Sequence, residues 1–460
     1  MSTPARPRDT ALEAALADHR AGRLAAAETA YRALIAARPG DAGVSHHLGV
    51  LLVQTGRVDE GLSHLKSALE ANGAEPLYYF SLAKGLLAAG NPAEAGAVLK
   101  QAMQRGLADR RFDLLKAEIR QKAVAACWEA VKENPRDAAL LDNLGSALLM
   151  QGETEEAVDR YRRALAQAPD FGHAHFHLGA VLSQNGRVAE GFEHYMRRAI
   201  LMHRGKSVSA PDDPPFKKRH DAAQRDYIGN DGFHLANGER MSGPAVNPGN
   251  ATPQFLEAWQ SSRPQMLVVD SFLTQPALAK LREICAGSTV WRKIYPAGYL
   301  GASPEDGFAA PLLAQIVEET QAVFAPILAG EPFRYLGAFK YDSEISAGTN
   351  THADNSNVNV NLYITSDDAN LDPGNGGMEI WDAAAPDIQA MRRLNGSEEL
   401  VRRFLERSGA RRFTIPHRAN RAIIFKSTQF HKTARFRFKT EYLSQRINIS
   451  MLFGEFSAEE

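Results

Sequence analysis

The sequence predicts a two-part protein, an all-α solenoid of repeated helix pairs followed by an antiparallel β-rich domain with flanking helices. Three observations predict it. A motif recurs at a spacing of 34 residues in the first half of the chain. Helical periodicity disappears over residues 201–264, where Gly, Asn and Pro cluster. Beyond residue 330, polar and apolar residues alternate with period two.

The repeat is carried by Leu48-Gly49, Leu82-Ala83, Leu144-Gly145 and Leu178-Gly179. Thirteen residues after each Leu stands a small residue (Gly61, Ala95, Ala157, Gly191), and four further on a larger one (Leu65, Leu99, Tyr161, Tyr195). A helix-breaking glycine separates the halves: Gly56, Gly90, Gly152 and Gly186. Small residues let two helices approach, the glycine ends the first helix, and the larger residues fill the seam. An earlier copy keeps Ala27, Tyr31 and Pro39, while residues 103–135 are helical but out of register. This pattern resembles the tetratricopeptide repeat over residues 8–200. The resemblance implies a groove that binds a peptide or protein segment, or a surface for a homodimer. His173 and His177 share a helical face but lack a third ligand nearby, so they read as ordinary repeat residues.

The 460 residues are too many for one core, which agrees with separate domains. A formal charge of −1 gives no basic excess, so no nucleic-acid partner is expected. Met1 to Thr10 lacks the apolar core of a signal peptide, and no apolar run is long enough to cross a bilayer, so no membrane is expected. Cys127 and Cys285 lie far apart, which suits a reducing, cytoplasmic location. The stretch 201–264 reads as a connector, partly ordered, with a short helix over 253–261 and a basic triplet, Lys217-Lys218-Arg219, in a solvated loop.

From residue 265 to 456 a second domain is expected. Met266–Phe272 reads as a strand, and 276–285 and 310–328 read as helices. In 357–364, Asn357, Asn359, Asn361 and Tyr363 alternate with Val358, Val360, Leu362 and Ile364. Buried amides are costly unless paired, so a polar row facing inward implies water, co-substrate or substrate. A Gly376-Gly377 turn leads into another strand, 422–425 is a further strand, and 433–438 with 446–453 reads as a hairpin. In the last strand Arg446, Asn448 and Ser450 share a face.

The chemistry resides in His352-Ala353-Asp354 and the distant His431. In an extended strand, residues i and i+2 project to one side. Two imidazoles and one carboxylate then form a facial triad for Fe(II) that leaves positions open for co-substrate and O₂. His417, after Pro416 at a turn, reads as a surface residue, and His431 as lying on a short connection.

These residues, with the Gly-Gly strand and Arg446-x-Asn448-x-Ser450, resemble the 2-oxoglutarate/Fe(II)-dependent dioxygenases of the prolyl-hydroxylase-like branch. The resemblance implies a double-stranded β-helix (jelly roll) with flanking helices. It makes His352, Asp354 and His431 the iron ligands, and Arg446 the partner of the distal carboxylate of 2-oxoglutarate, assisted by Ser450 or Asn448. Tyr341, Tyr363 and Asn361 are further co-substrate contacts, and ascorbate is a supporting reductant. Arg435, Arg437 and Lys439 are rival anchors, because Arg446 lies fifteen residues after His431. The expected activity is hydroxylation of a peptide or protein side chain presented by the repeats. This joining of repeats to an oxygenase is similar to aspartyl/asparaginyl β-hydroxylases, which lack the carboxylate that Asp354 supplies. Two alternatives remain: a small-molecule or sugar oxygenase that dimerises through its repeats, and a non-catalytic scaffold with an inactive jelly roll.

Overall fold

The computed structural model describes residues 10–107, 109–345 and 348–455. The leader reading of residues 1–9 and the domain limit at residue 456 lie outside the described residues. The chain divides into two compact units, up to Arg160 and from Tyr161 onward.

The first unit is built of helices packed in sequence order. They are α1 (Thr10–Arg20), α2 (Leu24–Ala37), α3 (Ala42–Gln54), α4 (Val58–Ala71), α5 (Pro76–Ala88), α6 (Pro92–Gln104), α7 (Arg110–Glu133) and α8 (Ala138–Gln151). Leu48, Leu82 and Leu144 are buried, as expected. Ala27 and Tyr31 of the degenerate first copy are buried too. The four separating glycines all have positive φ, near 80°, which only glycine adopts without strain. Asp41 and Asp137 cap α3 and α8 by accepting from backbone N–H groups of the first turn. The out-of-register stretch is one long helix, α7. The unit boundary falls within α9 (Thr154–Gln167).

The second unit opens with α10 (Gly172–Gln184) and α11 (Val188–His203), the last repeat pair. Both helices pack within this unit: Val188 and Phe192 of α11 belong to its apolar core, and Phe192 meets Phe333 edge-on at 6.0 Å. The connector is α12 (Pro215–Ile228), an extended run, and α13 (Pro253–Ser261). Its basic triplet is no solvated loop. It forms the start of α12, where Lys217 is buried against Asp221, and Arg219 pairs with Asp342 at 2.8 Å. The extended run is held by side chains of the body: Ala236 N donates to Ser288 Oγ at 3.0 Å, and Ala245 N to Glu319 Oε2 at 2.7 Å.

The strands follow: β1 (Met266–Val269), β2 (Lys293–Tyr295), β3 (Tyr299–Ala302), β4 (Phe333–Tyr341), β5 (Val358–Tyr363), β6 (Met378–Ala384), β7 (Arg412–Ile415), β8 (Arg421–Lys426), β9 (Gln429–Thr433) and β10 (Ile447–Phe453). Interspersed are α14 (Gln275–Gly287), α15 (Pro311–Val323), α16 (Ala325–Leu328), α17 (Ile388–Asn395) and α18 (Glu398–Arg407). The expected single helix over 310–328 breaks at Phe324, just before Pro326, which has no N–H to give.

All pairings are antiparallel. A seven-stranded sheet runs β1-β8-β5-β10-β4-β3-β2, and a three-stranded sheet runs β7-β6-β9. The expected hairpin of 433–438 with 446–453 does not form. β10 pairs with β4 and β5 on its two sides, and β9 pairs with β6. The large sheet has two distinct faces. Val358, Val360, Leu362, Ile447, Ile449 and Met451 join the core shared with α14 and α15. The opposite face carries Asn359, Asn361, Tyr363, Asn448 and Ser450, and the register sets Asn448 opposite Tyr363 and Ser450 opposite Asn361. Every residue of β5 is buried, so the polar row faces inward rather than to solvent.

Cys285 is buried and free, with burial pushing its thiol up to about 12, while Cys127 is free and half-buried. Among the described residues no helix is long and apolar enough to cross a membrane.

The close approach of α3 and α4 supplies a stability prediction. A Cβ on Gly49 would lie 2.8 Å from Leu65 Cγ and 2.9 Å from Gly61 O. Gly49→Val should therefore destabilise the protein by about 1–3 kcal/mol, read as a lower urea midpoint. An unchanged midpoint would contradict this packing.

Candidate metal centre

His352 and Asp354 lie in an irregular segment rather than a strand, and only His352 forms a bridge, to His431. His431 stands on β9, not on a connection. His352 N donates to His431 O at 3.0 Å, and His431 N donates to His352 O at 2.8 Å. Asp354 N donates to Ser427 O at 2.9 Å, which tethers the carboxylate to the turn between β8 and β9.

These ties bring three donors together. One ligand atom from each of His352, Asp354 and His431 lies within 4.8 Å of the other two, the only such group of three among the described residues. His352 Nε2 is 3.8 Å from Asp354 Oδ1, and His431 Nε2 is 3.4 Å from Asp354 Oδ2. The other ring nitrogens are engaged elsewhere. His352 Nδ1 is 2.7 Å from Asn350 O, and His431 Nδ1 is 2.9 Å from Gln429 O. A carbonyl only accepts, so each Nδ1 carries a proton, and in the neutral ring that leaves the Nε2 lone pair toward the shared point. Burial, reinforced by the neighbouring His431, lowers the pKa of His352 and favours its neutral ring. Burial pushes the Asp354 carboxyl up, but His431, His352 and the Asn359 amide outweigh it and hold the group at about 2. Asn359 Nδ2 donates to Asp354 Oδ2 at 2.8 Å, and Ser450 Oγ donates to Asn359 Oδ1 at 3.0 Å. Ser450, expected beside the co-substrate, thus supports the carboxylate through Asn359.

Both sheets line one cavity of about 550 Å³ that contains the triad. Arg446 also lines it, is 1% exposed, and pairs with no carboxylate among the described residues. Its Nε donates to Gly376 O at 2.6 Å, one Nη to Asn448 Oδ1 at 2.8 Å and the other to Gly377 O at 3.2 Å. Two of its five N–H groups therefore remain for a ligand. Gly377 must be glycine, since a Cβ there would lie 2.1 Å from Ile415 O. Rings of Tyr341 and Tyr363 flank the guanidinium at 4.6 and 5.2 Å. The hydroxyl of Tyr363 and Oδ1 of Asn361 are buried without a hydrogen-bond partner. Tyr341 shares a hydrogen bond with Thr433 at 3.1 Å.

The rival anchors lie elsewhere: Arg435 and Arg437 are exposed, and Lys439 pairs with Asp368 at 3.4 Å. His417 is not at the surface. It is 5% exposed, Nε2 meets Thr365 O at 3.0 Å, and burial draws it down to about 4. Among the described residues, His173 and His177 join no group of three potential metal ligands.

Sequence reasoning missed the aromatic wall of Tyr295, Tyr299, Tyr335 and Phe339. Tyr295 stacks on Tyr299 at 4.4 Å, and Tyr299 on Tyr341 at 5.0 Å. The signal was available: Tyr335, Phe339 and Tyr341 alternate along β4 on one face.

Residues 19–85, 76–101, 110–170 and 143–214 match sequence models of the tetratricopeptide repeat. The helical region is thus a tetratricopeptide-repeat solenoid. The chain is 35% identical over 103 residues to a peroxisomal targeting signal receptor of Candida glabrata, covering 20% of this chain and 17% of that one. It is 27% identical over 157 residues to cellulose synthase operon protein C of Escherichia coli K12, covering 28% and 14%. The matches thus span under a fifth of the curated relatives' length. Among solved structures, MamA 41-end from Desulfovibrio magneticus RS-1 is 16% identical, with 42% of this chain and 93% of that one covered, at a TM-score of 0.20. YrrB, a TPR protein with an unusual peptide-binding site, is 18% identical over 37% and 91%, also at 0.20. Likeness at these scores carries no functional argument.

The unpaired hydroxyl gives a prediction for the protein without ligands. An unsatisfied buried donor costs about 1–3 kcal/mol. Tyr363→Phe should raise the unfolding free energy, measured in urea, by about 1 kcal/mol; a loss of stability would mean that the hydroxyl is already paired.

Proposed function

We propose that the sheet-bearing unit is a 2-oxoglutarate- and Fe(II)-dependent dioxygenase with a jelly-roll fold, which hydroxylates a peptide or protein side chain presented by the repeats. The observation that carries the reading is the convergence of His352 Nε2, Asp354 and His431 Nε2 in a cavity that also holds a buried Arg446 with no acidic partner.

The donor set fits a non-haem iron ion: two neutral imidazoles and one ionised carboxylate on one side, with an open cavity on the other. The orphaned polar atoms fit the co-substrate. An arginine without an acid and an unpaired tyrosine hydroxyl are costly to bury, and a bound carboxylate relieves both. His352, Asp354 and His431 would hold the ion, and Arg446 the far carboxylate of 2-oxoglutarate, with Tyr363 as a second donor. When bound, iron and 2-oxoglutarate supply the oxidising power, by decarboxylation to succinate with O₂. The chain's own part is to orient and to exclude water. Gly376, Gly377 and Asn448 fix the Arg446 plane, Asn359 and Ser450 fix Asp354, and the stacked tyrosines wall the cavity and present an apolar surface to the substrate. The solenoid would deliver the polypeptide, a use common to helical-repeat grooves.

With iron, ascorbate and 2-oxoglutarate, the protein should form succinate, and Asp354→Ala should abolish it. Full turnover in that variant would remove Asp354 from the ligand set. Arg446→Ala should weaken 2-oxoglutarate binding by about 2–5 kcal/mol, as for loss of one member of a buried charge pair, read as a raised KM. An unchanged KM would move the anchor elsewhere. Mass spectrometry should then find one added oxygen atom on a peptide; its appearance on a small metabolite alone would contradict the substrate class.

A further inference from the structure

The helix pair α17–α18, between β6 and β7, supplies no metal donor, yet it grips the residue between two of them. Ala353 N donates to Asn395 Oδ1 at 3.0 Å, and Asn395 Nδ2 donates to Ala353 O at 2.7 Å. One side chain thus takes both main-chain groups of the residue between His352 and Asp354. A primary amide suits this task, since it offers a donor and an acceptor in one plane. The methyl of Ala353 is 2% exposed and packs with Met391, Leu394, Val401, Leu405 and Phe430, so the same helix pair seats the residue from beneath. Its neighbours are tied to other elements, His352 to β9 and Asp354 to the turn after β8. Three consecutive residues are pinned by three separate parts of the fold.

Asn395 ends α17 at the rim of the cavity and is itself exposed. Water could therefore satisfy Ala353 if the amide were absent, so the two bonds are not needed to keep buried polar groups paired. What the amide provides and water does not is a fixed orientation of the peptide. That orientation sets the angles at which His352 and Asp354 face their common point.

We infer that Asn395 is a positioning residue for the metal centre, acting through Ala353 on the His352–Asp354 pair. The inference rests on the metal reading above. Partners that orient metal ligands change metal affinity by about 10–100-fold when removed.

The test is titration of the intact protein with Co(II), followed by visible absorption, beside thermal melting without metal. Asn395→Ala should raise the Co(II) Kd about tenfold and alter the absorption bands, while the metal-free melting temperature stays at the wild-type value. A Kd within about twofold of wild type, with the same bands, would overturn the inference and leave the metal reading intact. Failure of the wild-type protein to bind Co(II) stoichiometrically would overturn both. Should Asn395→Ala melt early, Asn395→Asp decides. It is isosteric, keeps the acceptor for Ala353 N, and loses the donor to Ala353 O. Its added negative charge by itself favours a cation, so weaker Co(II) binding or altered bands there report lost geometry, and bands identical to wild type with binding no weaker would overturn the inference.

Discussion

Two reciprocal main-chain hydrogen bonds between His352 and His431 hold the candidate site together. They join an irregular segment to β9 and so fix the distance between two imidazoles that are remote in sequence. The side-chain contacts of each ring with a local carbonyl set the tautomer, but those contacts matter only because the backbones are already paired. Asp354 enters the same space because its own N–H is bound to Ser427, one turn away from His431. The donor geometry is therefore a property of the β8–β9 region as a whole, where a strand of the large sheet turns into one of the small sheet.

The other end of the cavity is built at a cost. Arg446 is buried among tyrosine rings and glycine carbonyls with no acid beside it, and Tyr363 holds an unpaired hydroxyl. A fold selected for stability alone would have placed an acid or an apolar side chain there, because uncompensated buried charge costs on the order of several kcal/mol. The carboxylate of the proposed co-substrate would satisfy these groups. Apart from the triad and Arg446, the charged side chain among the described lining residues is Lys432, drawn toward Glu379 at 3.7 Å, and stacked tyrosines form the wall.

What could be read from the sequence follows the range of each interaction. The repeats were legible because their contacts are local: a glycine that lets two helices touch lies twelve residues from its partner, as in Gly49 and Gly61 or Gly179 and Gly191, and the same spacing returns along the chain. The meeting of His352, Asp354 and His431 was legible from the His-x-Asp spacing and the later histidine, although the strand assumed for the first two is an irregular segment. That Arg446 faces the cavity could be read from the polar row it shares with Asn448 and Ser450. The burial of His417 escaped because it depends on Thr365, 52 residues away. The pairing of β9 with β6 escaped because period two does not name a strand's neighbour. Asn395 carries no local signal at all; its role exists only where α17 meets Ala353.

In the proposed function the three donors and Arg446 act on one bound pair of ligands. Anaerobic addition of one equivalent of Fe(II), then of 2-oxoglutarate, tests this directly by visible absorption. A charge-transfer band that appears only when both are present, and saturates at one of each per chain, is the result predicted. Stoichiometric Fe(II) binding that 2-oxoglutarate leaves spectrally untouched would contradict it.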